Sequence, residues 1–124
     1  MKMPHVRQRV WVRGNLGMCR HTVRFDTRYP EDLIRRSVAE SLGRIHRPPG
    51  RPIVPTPYGR RVPRGIMGVS LLVQGHKLWP HPLVVDELDD DLVIGSFFLQ
   101  HWYIRLDPRR NRLIVNPRDL VLRA

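Results

Sequence analysis

Hydrophobic and polar residues alternate over the first part of the chain, which is the pattern of half-buried β-strands. In "QRVWVRGNLGMCRHTVRF", Val10 and Val12 alternate with charged or aromatic neighbours, and a turn rich in glycine and asparagine separates this run from a second one. Such residues favour tight hairpin turns. We therefore predict a β-hairpin over residues 8–25, whose second strand ends immediately before Asp26.

The period of the pattern changes to that of a helix after residue 29. Leu33, Ile34, Val38 and Leu42 fall on one helical face, whereas the charged residues fall mostly on the other. The "PED" segment at residues 30–32 suits a first turn, because proline is tolerated there and acidic groups face the positive end of the helix dipole. The pattern predicts one helix from these residues to a C-cap at Gly43.

The rest of the chain is dominated by short strands and turns. Five prolines in "HRPPGRPIVPTP" predict an extended loop, followed by a hairpin tip at residues 58–61. Further strands are predicted in "GIMGVSLLVQGHKLW", "HPLVVDEL" and the hairpin "YIRLDPRRNRLIV". The segment "LVIGSFFLQHW" predicts a buried strand that breaks at Gly95 into one helical turn with Ser96 as its N-cap. Residues 117–124 suit an eighth strand or a short helix. A small, mostly-β domain follows from this pattern.

Composition bounds the class of protein. With 124 residues, 41% hydrophobic and 27% charged, the chain is typical of one globular domain spanning residues 1–124. The lone Cys19 excludes an internal disulfide, no apolar run is long enough to span a bilayer, and the first residues lack a signal-peptide core. We expect a cytoplasmic protein with no membrane association.

The formal net charge of +11 comes from 22 basic residues, of which only Lys2 and Lys77 are lysines. Such a surface attracts polyanions weakly and non-specifically by counterion release. Because the arginines are spread along the whole chain, the distribution favours a solvated basic surface over a dedicated polyanion site.

Most enzymatic motifs are missing from the sequence. The six histidines are scattered without the spacing of a metal site, and the acidic run "DELDDD" lacks the alternation of a calcium loop, which favours a solvated turn. The sequence contains no nucleophile elbow or phosphate-binding loop. We therefore expect no metal and no other cofactor.

The segment "VRFDTRYPEDLIRRSVAESLG" resembles the active-site segment of retropepsin-like aspartic proteases. In that family a hydrophobic strand leads to Asp-Thr-Gly, then to a buried aliphatic residue and a closing "A-E-x-L-G" pattern. Asp26 and Thr27 match the motif, Ile34 matches the aliphatic position, and "VAESLG" matches the end of the segment. Downstream, "VVDELDDDLVIGSFFLQHWYIRLDPRRNRLIV" is similar to the second half of the family, so the resemblance covers residues 7–115.

The resemblance implies a mostly-β, barrel-like closed sheet with one short helix after the aspartate loop and one helical turn after Gly95. It implies a homodimer that hydrolyses peptide bonds with two copies of Asp26, which share one proton, while Thr27 locks the two loops together. Ile94 and Gly95 would support the loop. Tyr58, Gly59, Arg60 and Arg61 would form the flap over the peptide, and residues 117–124, with the N-terminal residues, would lie at the dimer interface.

The sequence departs from the family motif at two positions next to the aspartate. Arg28 replaces the glycine and Tyr29 replaces a small residue. A cation beside Asp26 favours its ionised form and opposes the sharing of a proton. Both residues are therefore placed in the substrate cleft, with Arg28 as the residue that decides activity.

Several interpretations stay open at this point. The protein is either an atypical aspartic endopeptidase, in which Arg28 and Tyr29 set specificity, or a degenerate member that binds a peptide or protein without cutting it. A competing hypothesis is a basic nucleic-acid-binding dimer without catalysis. Its expected feature is a continuous arginine stripe, built from the pairs at residues 35–36, 60–61 and 109–110.

Overall fold

The computed structural model of the protein describes residues 5–116. Within them the chain forms two α-helices and a series of mostly short strands. The strands are β1 (His5–Gly14), β2 (Gly17–Asp26), β3 (Leu33–Arg35), β4 (Val54–Thr56), β5 (Gly59–Arg61), β6 (Gly65–Ile66), β7 (Ser70–Val73), β8 (His76–Leu78), β9 (Leu83–Val85), β10 (Leu92–Ile94), β11 (Arg105–Asp107) and β12 (Arg112–Ile114). The helices are α1 (Arg36–Leu42) and α2 (Ser96–His101), and a 3₁₀ turn (Pro108–Arg110) joins β11 to β12.

One sheet of eight strands carries the architecture, in the order β6-β9-β3-β10-β2-β1-β7-β8. The predicted hairpin is its longest ladder, since β1 and β2 pair over ten residues from His5↔Asp26 to Gly14↔Gly17. Strand β10 lies parallel to β2 on the other side and aligns Ile94 with Phe25. The end of β2 that carries Asp26 is therefore held in the middle of the sheet.

The core lies against one face of this sheet, where α1 and α2 pack. Its buried side chains include Val6, Val10, Phe25, Leu42 and Leu99. A second, smaller cluster lies beside the aspartate loop and includes Leu33, Val93 and the half-buried Tyr29. The mostly-β architecture, with a short helix after the aspartate loop and a helical turn after Gly95, is confirmed.

The predicted helix begins later than its hydrophobic period indicates. Leu33–Arg35 is a strand, and only Arg36–Leu42 is helical. Strand β3 lies inside the sheet, parallel to β9 and antiparallel to β10, with Leu33 and Ile34 fully buried. Both edges of its backbone are thus paired by neighbouring strands, and this tertiary pairing outweighs the local helical pattern.

Ser96 is the first residue of α2 and not its N-cap; the cap position is Gly95, without a side-chain cap. The amides of Ser96 and Phe97 instead donate to the carbonyls of Tyr29 and Pro30, at 2.8 and 3.2 Å. The aspartate loop therefore satisfies the first amides of this helix, and no hydroxyl cap is needed.

The acidic turn is less solvated than its composition indicates. Asp90 is only 5% exposed, because it pairs with Arg7 and Arg24. Asp91 accepts from Arg35 and lies 3.1 Å from Nδ1 of the half-buried His21. The remaining predicted hairpins, at residues 54–61, 70–78 and 105–114, are present. Residues 117–124 lie outside the described part of the chain. Across residues 5–116, no helix has the length and apolar character that crossing a bilayer requires.

Candidate functional site

Asp26 is the last residue of β2, and its side chain is fully buried. Strand β1 holds it from one side through the pair His5↔Asp26, and the next residue, Thr27, is already exposed. The alternation of β2 places Asp26 and Arg24 on the face opposite to Val23 and Phe25. A carboxylate in this position is ionised only if neighbouring donors compensate for the lost water.

Arg28 supplies these donors. Its Nε lies 3.1 Å from Oδ1 and 3.3 Å from Oδ2 of Asp26, and its Nη2 lies 2.8 Å from Oδ2. The backbone amide of Arg28 adds a fourth contact, to Oδ1 at 2.9 Å. A carboxylate offers about four lone-pair positions. Three donors of this one residue, two places along the chain, therefore occupy both oxygens, with Nε shared between them.

Arg24 places a second guanidinium beside the same carboxylate. Its Nε lies 3.4 Å from Oδ2 of Asp26, and its Nη1 lies 3.4 Å from Oδ2 of Asp90. Arg7 continues the chain of charges with a 2.6 Å contact from its Nε to Oδ1 of Asp90. Because Arg24 is only 7% exposed, the network is a structural part of the sheet and not a surface ion pair.

Tyr29 lies between the two guanidinium groups. The guanidinium carbons of Arg24 and Arg28 are 5.9 and 5.8 Å from the centre of its ring. Cations at this distance are attracted by the negative face of an aromatic ring. Tyr29 therefore packs beside both arginines and steadies them next to Asp26.

The ionisation of Asp26 follows from this arrangement. Burial alone would raise its pKa, but the hydrogen bonds from the side chain and amide of Arg28, and the charges of Arg28 and Arg24, together hold the pKa below its ordinary value of 3.8. Burial also lowers the pKa of the neighbouring His5, and nearby arginines add to the effect. A carboxylate in this state accepts hydrogen bonds but does not hold a proton at neutral pH.

Gly95 and Ile94 lie directly behind the aspartate loop. A side chain on Gly95 would place its Cβ 2.5 Å from the carbonyl oxygen of Glu31 and 2.6 Å from that of Tyr29. Ile94 is fully buried and pairs with Phe25, next to Asp26. The loop therefore approaches β10 and α2 so closely that only glycine fits at residue 95.

Asp32 belongs to the same junction, although its sequence pattern suggested only a helix start. Its Oδ1 accepts a 2.8 Å hydrogen bond from the amide of Gly95. Burial raises the pKa of Asp32 to about 7; the hydrogen bond from Gly95 opposes this shift and the charge of Glu31 adds to it. Asp32 is thus a second carboxyl group near the loop, and its protonation state changes near neutral pH.

The predicted flap residues form the hairpin of β4 and β5. Its tip contains Gly59, at φ 93°, and Tyr58, whose hydroxyl donates to Oδ1 of Asp89. Arg61 lies 3.9 Å from Glu87, while Arg60 is exposed. These contacts join the hairpin to the acidic turn at residues 86–91, so the tip is held by residues of the same chain.

The structure therefore brings together Asp26, Arg28, Tyr29, Ile94 and Gly95. Of the four predicted flap residues, Tyr58 and Arg61 contact the acidic turn, whereas Gly59 and Arg60 are exposed at the hairpin. The sequence interpretation missed Arg24, Asp32 and Asp90. Arg24 carried a usable signal, because it stands two residues before Asp26 on the same face of a strand. Within residues 5–116, no group of three or more His, Cys, Asp or Glu side chains is arranged to hold a metal ion.

Comparison with known proteins extends these observations. No protein-family model matches the sequence, and no curated protein matches it. Among solved structures, the retroviral protease-like domain of Ddi1 from Leishmania major superposes with a TM-score of 0.65 at 18% identity, over 94% of this chain and 91% of that chain. The simian foamy virus (mac) protease superposes with a TM-score of 0.48 at 13% identity, over 81% of this chain and all of that one. The similarity to the Ddi1 domain, together with the strand order and the aspartate loop, shows that the chain has a retropepsin-like fold.

Proposed function

We propose that this protein is a homodimeric, retropepsin-like module that binds a peptide segment in its cleft without hydrolysing it. The observation that carries the proposal is the occupation of both carboxylate oxygens of Asp26 by Arg28. Catalysis by an aspartate pair needs one carboxyl that donates a proton and one carboxylate that activates water. With its lone pairs already satisfied, Asp26 is suited to neither task.

Dimerisation does not restore the shared proton. Two carboxylates at about 3 Å repel each other, and this repulsion is what makes one of them hold a proton in a working pair. In a symmetric dimer of this chain, each Asp26 would bring its own Arg28 and its own Arg24. Four guanidinium groups around two carboxylates remove the repulsion that a shared proton relieves.

Two observations support the proposed dimer: the fold and the surface beside the site. One chain carries a single aspartate loop, which is half of a retropepsin cleft. Phe97, on α2 next to that loop, is 61% exposed and offers an apolar contact beside the site. A peptide lying across two such loops would meet Arg28, whose side chain is half exposed. The cleft would therefore favour peptides that bring an acidic or carbonyl-rich segment to this point.

The test compares cleavage and binding with one peptide library at pH 3 to 7. We expect the wild-type protein, shown by light scattering to be a dimer, to bind labelled library peptides by fluorescence anisotropy and to release no fragments by mass spectrometry. Arg28→Gly should remove the guanidinium from both oxygens of Asp26 and give measurable cleavage, and this cleavage should disappear in Arg28→Gly combined with Asp26→Asn. Wild-type cleavage that is lost in Asp26→Asn alone would show a working peptidase and overturn the proposal.

A further inference from the structure

The outward face of the β1–β2 ladder carries a row of side chains that the proposed peptide cleft does not use. Directly opposed residues of antiparallel strands share a face. Trp11 is opposite Arg20 on one side and opposite Leu72 on the other, and Leu72 is opposite Lys77. The row therefore crosses four neighbouring strands, over roughly 14 Å at the usual strand spacing.

A second row lies beside the first. Arg13 is opposite Met18 on β2 and opposite Ser70 on β7. Arg9, two residues before Trp11 and thus on the same face, is also exposed. The other face of these strands carries Val10, Val12 and Leu71 in the core.

The charge of this face has one sign. Arg9, Arg13, Arg20 and Lys77 are exposed, and the strand segments at residues 9–13, 18–21, 70–73 and 76–78 contain no Asp or Glu. None of these four side chains forms an ion pair with a carboxylate in the part of the chain from 5 to 116. We name this surface, made of the four cations with Trp11, Leu72 and Met18, the hairpin face.

The arginine pairs expected to form a stripe behave differently. In each pair at least one member is taken by a carboxylate: Arg35 by Asp91, Arg36 by Glu40, Arg61 by Glu87, and Arg110 by Asp107. The charge of these four arginines is locally neutralised, and only Arg60 and Arg109 have no such ion pair within residues 5–116, so the three pairs do not form a continuous stripe of free charge. The unpaired positive charge of the sheet is concentrated on the hairpin face.

Trp11, at the centre of the hairpin face, is exposed enough to stack against a planar ligand. The guanidinium carbon of Arg20 lies 5.6 Å from the ring centre of Trp11, and Trp11 keeps 42% of its surface exposed. Leu72 and Met18 on either side are 44% and 59% exposed. An exposed tryptophan between arginines offers a ring and a planar cation on which a nucleobase can stack.

We propose that the hairpin face binds single-stranded nucleic acid, with phosphates at the four cations and one base stacked on Trp11. An open sheet face with a central aromatic residue suits a splayed single strand better than a duplex, whose bases are stacked inside. Six residues of strand, roughly 20 Å, separate Trp11 from the Asp26 end of β1 and β2. The surface is therefore distinct from the peptide cleft and does not depend on the proposed peptide binding.

The test uses fluorescence anisotropy with a labelled 12-nucleotide oligo(U) and oligo(dT), over a series of salt concentrations. Trp11→Leu keeps an apolar side chain but removes stacking, and we expect affinity to fall about fivefold or more, with Trp11→Phe restoring most of it. Arg9→Gln, Arg13→Gln and Arg20→Gln combined should lower the slope of log K against log salt by about 2. The matched control is the combined Arg44→Gln, Arg47→Gln and Arg51→Gln variant, which removes the same charge from exposed residues in and just before the proline-rich loop.

Each outcome decides the proposal. Loss of binding in the hairpin variants but not in the loop control supports it, provided circular dichroism shows all variants folded. Equal losses in both triple variants, or no effect of Trp11→Leu, would mean general attraction by net charge and would overturn it. So would equal competition by a poly-glutamate peptide of the same charge, which would identify an acidic protein segment as the ligand. The Trp11→Leu variant should leave binding of the library peptides unchanged, so a failure here is separable from a failure of the peptide-cleft proposal.

Discussion

Arg28 donates from its side chain to both carboxylate oxygens of Asp26, the residue two positions before it. The pair lies within one loop, so it forms without help from any other element. Two places after Asp26, this chain places the strongest available partner of a carboxylate. The pair thus explains why the carboxylate of Asp26 is buried at low cost and why its pKa is lowered.

The pair makes stability depend on pH with a definite sign. Because the pKa of Asp26 is lowered in the folded state, its contribution is present above 3.8 and is lost as the pH falls through the lower folded value. Arg28→Ala should therefore lower the free energy of unfolding by about 1–3 kcal/mol at pH 7, discounted for the exposed half of Arg28. The loss should shrink at pH 3. Urea denaturation at the two pH values measures both, and an equal loss at both would contradict the ionised pair.

Gly95 is expected to tolerate no side chain. Gly95→Ala would press a methyl group against three loop carbonyls, all within 2.8 Å, and should cost about 1–3 kcal/mol. Gly17→Ala is a matched control, because a Cβ at Gly17 meets no atom within 4 Å. Thermal unfolding of both variants checks the prediction. Similar melting temperatures for the two would show that the loop shifts away at little cost.

Asp32 should contribute a pH dependence of the opposite sign. Its folded pKa of about 7 lies above the ordinary 3.8, so the folded state holds the proton more tightly than the unfolded state does. The stability from this group is present below pH 4 and is lost as the pH rises towards 7. Asp32→Asn keeps an oxygen that can accept from the amide of Gly95 but cannot ionise. The variant should gain stability relative to wild type between pH 4 and 7, and a constant difference across that range would refute the shift.

The contact between Tyr58 and Asp89 should protect the hairpin tip. Tyr58→Phe removes one surface hydrogen bond that joins the tip to Asp89, so trypsin should cut after Arg60 and Arg61 several-fold faster. Cleavage after Arg109 and Arg110, in the distant 3₁₀ turn, serves as the internal control. The two rates are followed by mass spectrometry of native protein. An unchanged rate at the tip would mean that Asp89 does not hold the hairpin.

Much of the fold can be predicted from the sequence, because the sequence signals for these elements are local. Alternation over residues 8–25 and the glycines of the turn specify the first hairpin, and "VIG" followed by an apolar run specifies β10 and α2. The prediction of a helix was wrong at Leu33–Arg35 for a non-local reason. Strands β9 and β10, about 50 and 60 residues later, supply the hydrogen-bond partners of this segment. No window of sequence around Ile34 contains that information.

The residues of the candidate site also divide into those predictable from local sequence and those that only the fold brings together. Asp26 and Arg28 are two positions apart in the chain, and the effect of the arginine on the ionisation of Asp26 could be predicted from their charges alone. The role of Asp90 could be seen only in the fold, because 66 and 83 residues separate it from its partners Arg24 and Arg7. Asp32 was visible as an acidic residue before a helix, but its hydrogen bond to Gly95 arises only when α2 meets the loop.

The ladder of β1 and β2 also has a consequence for the order of folding. Its pairs grow outward from Gly14↔Gly17, three residues apart, to His5↔Asp26, twenty-one apart, so the hairpin can close one rung at a time. The parallel strand β10 must instead search across more than sixty residues to reach β2. We expect Asp26 to meet Arg28 in a nascent hairpin, before β10 or α2 arrives. A newly made chain would then carry its buried carboxylate already neutralised into every later step of assembly.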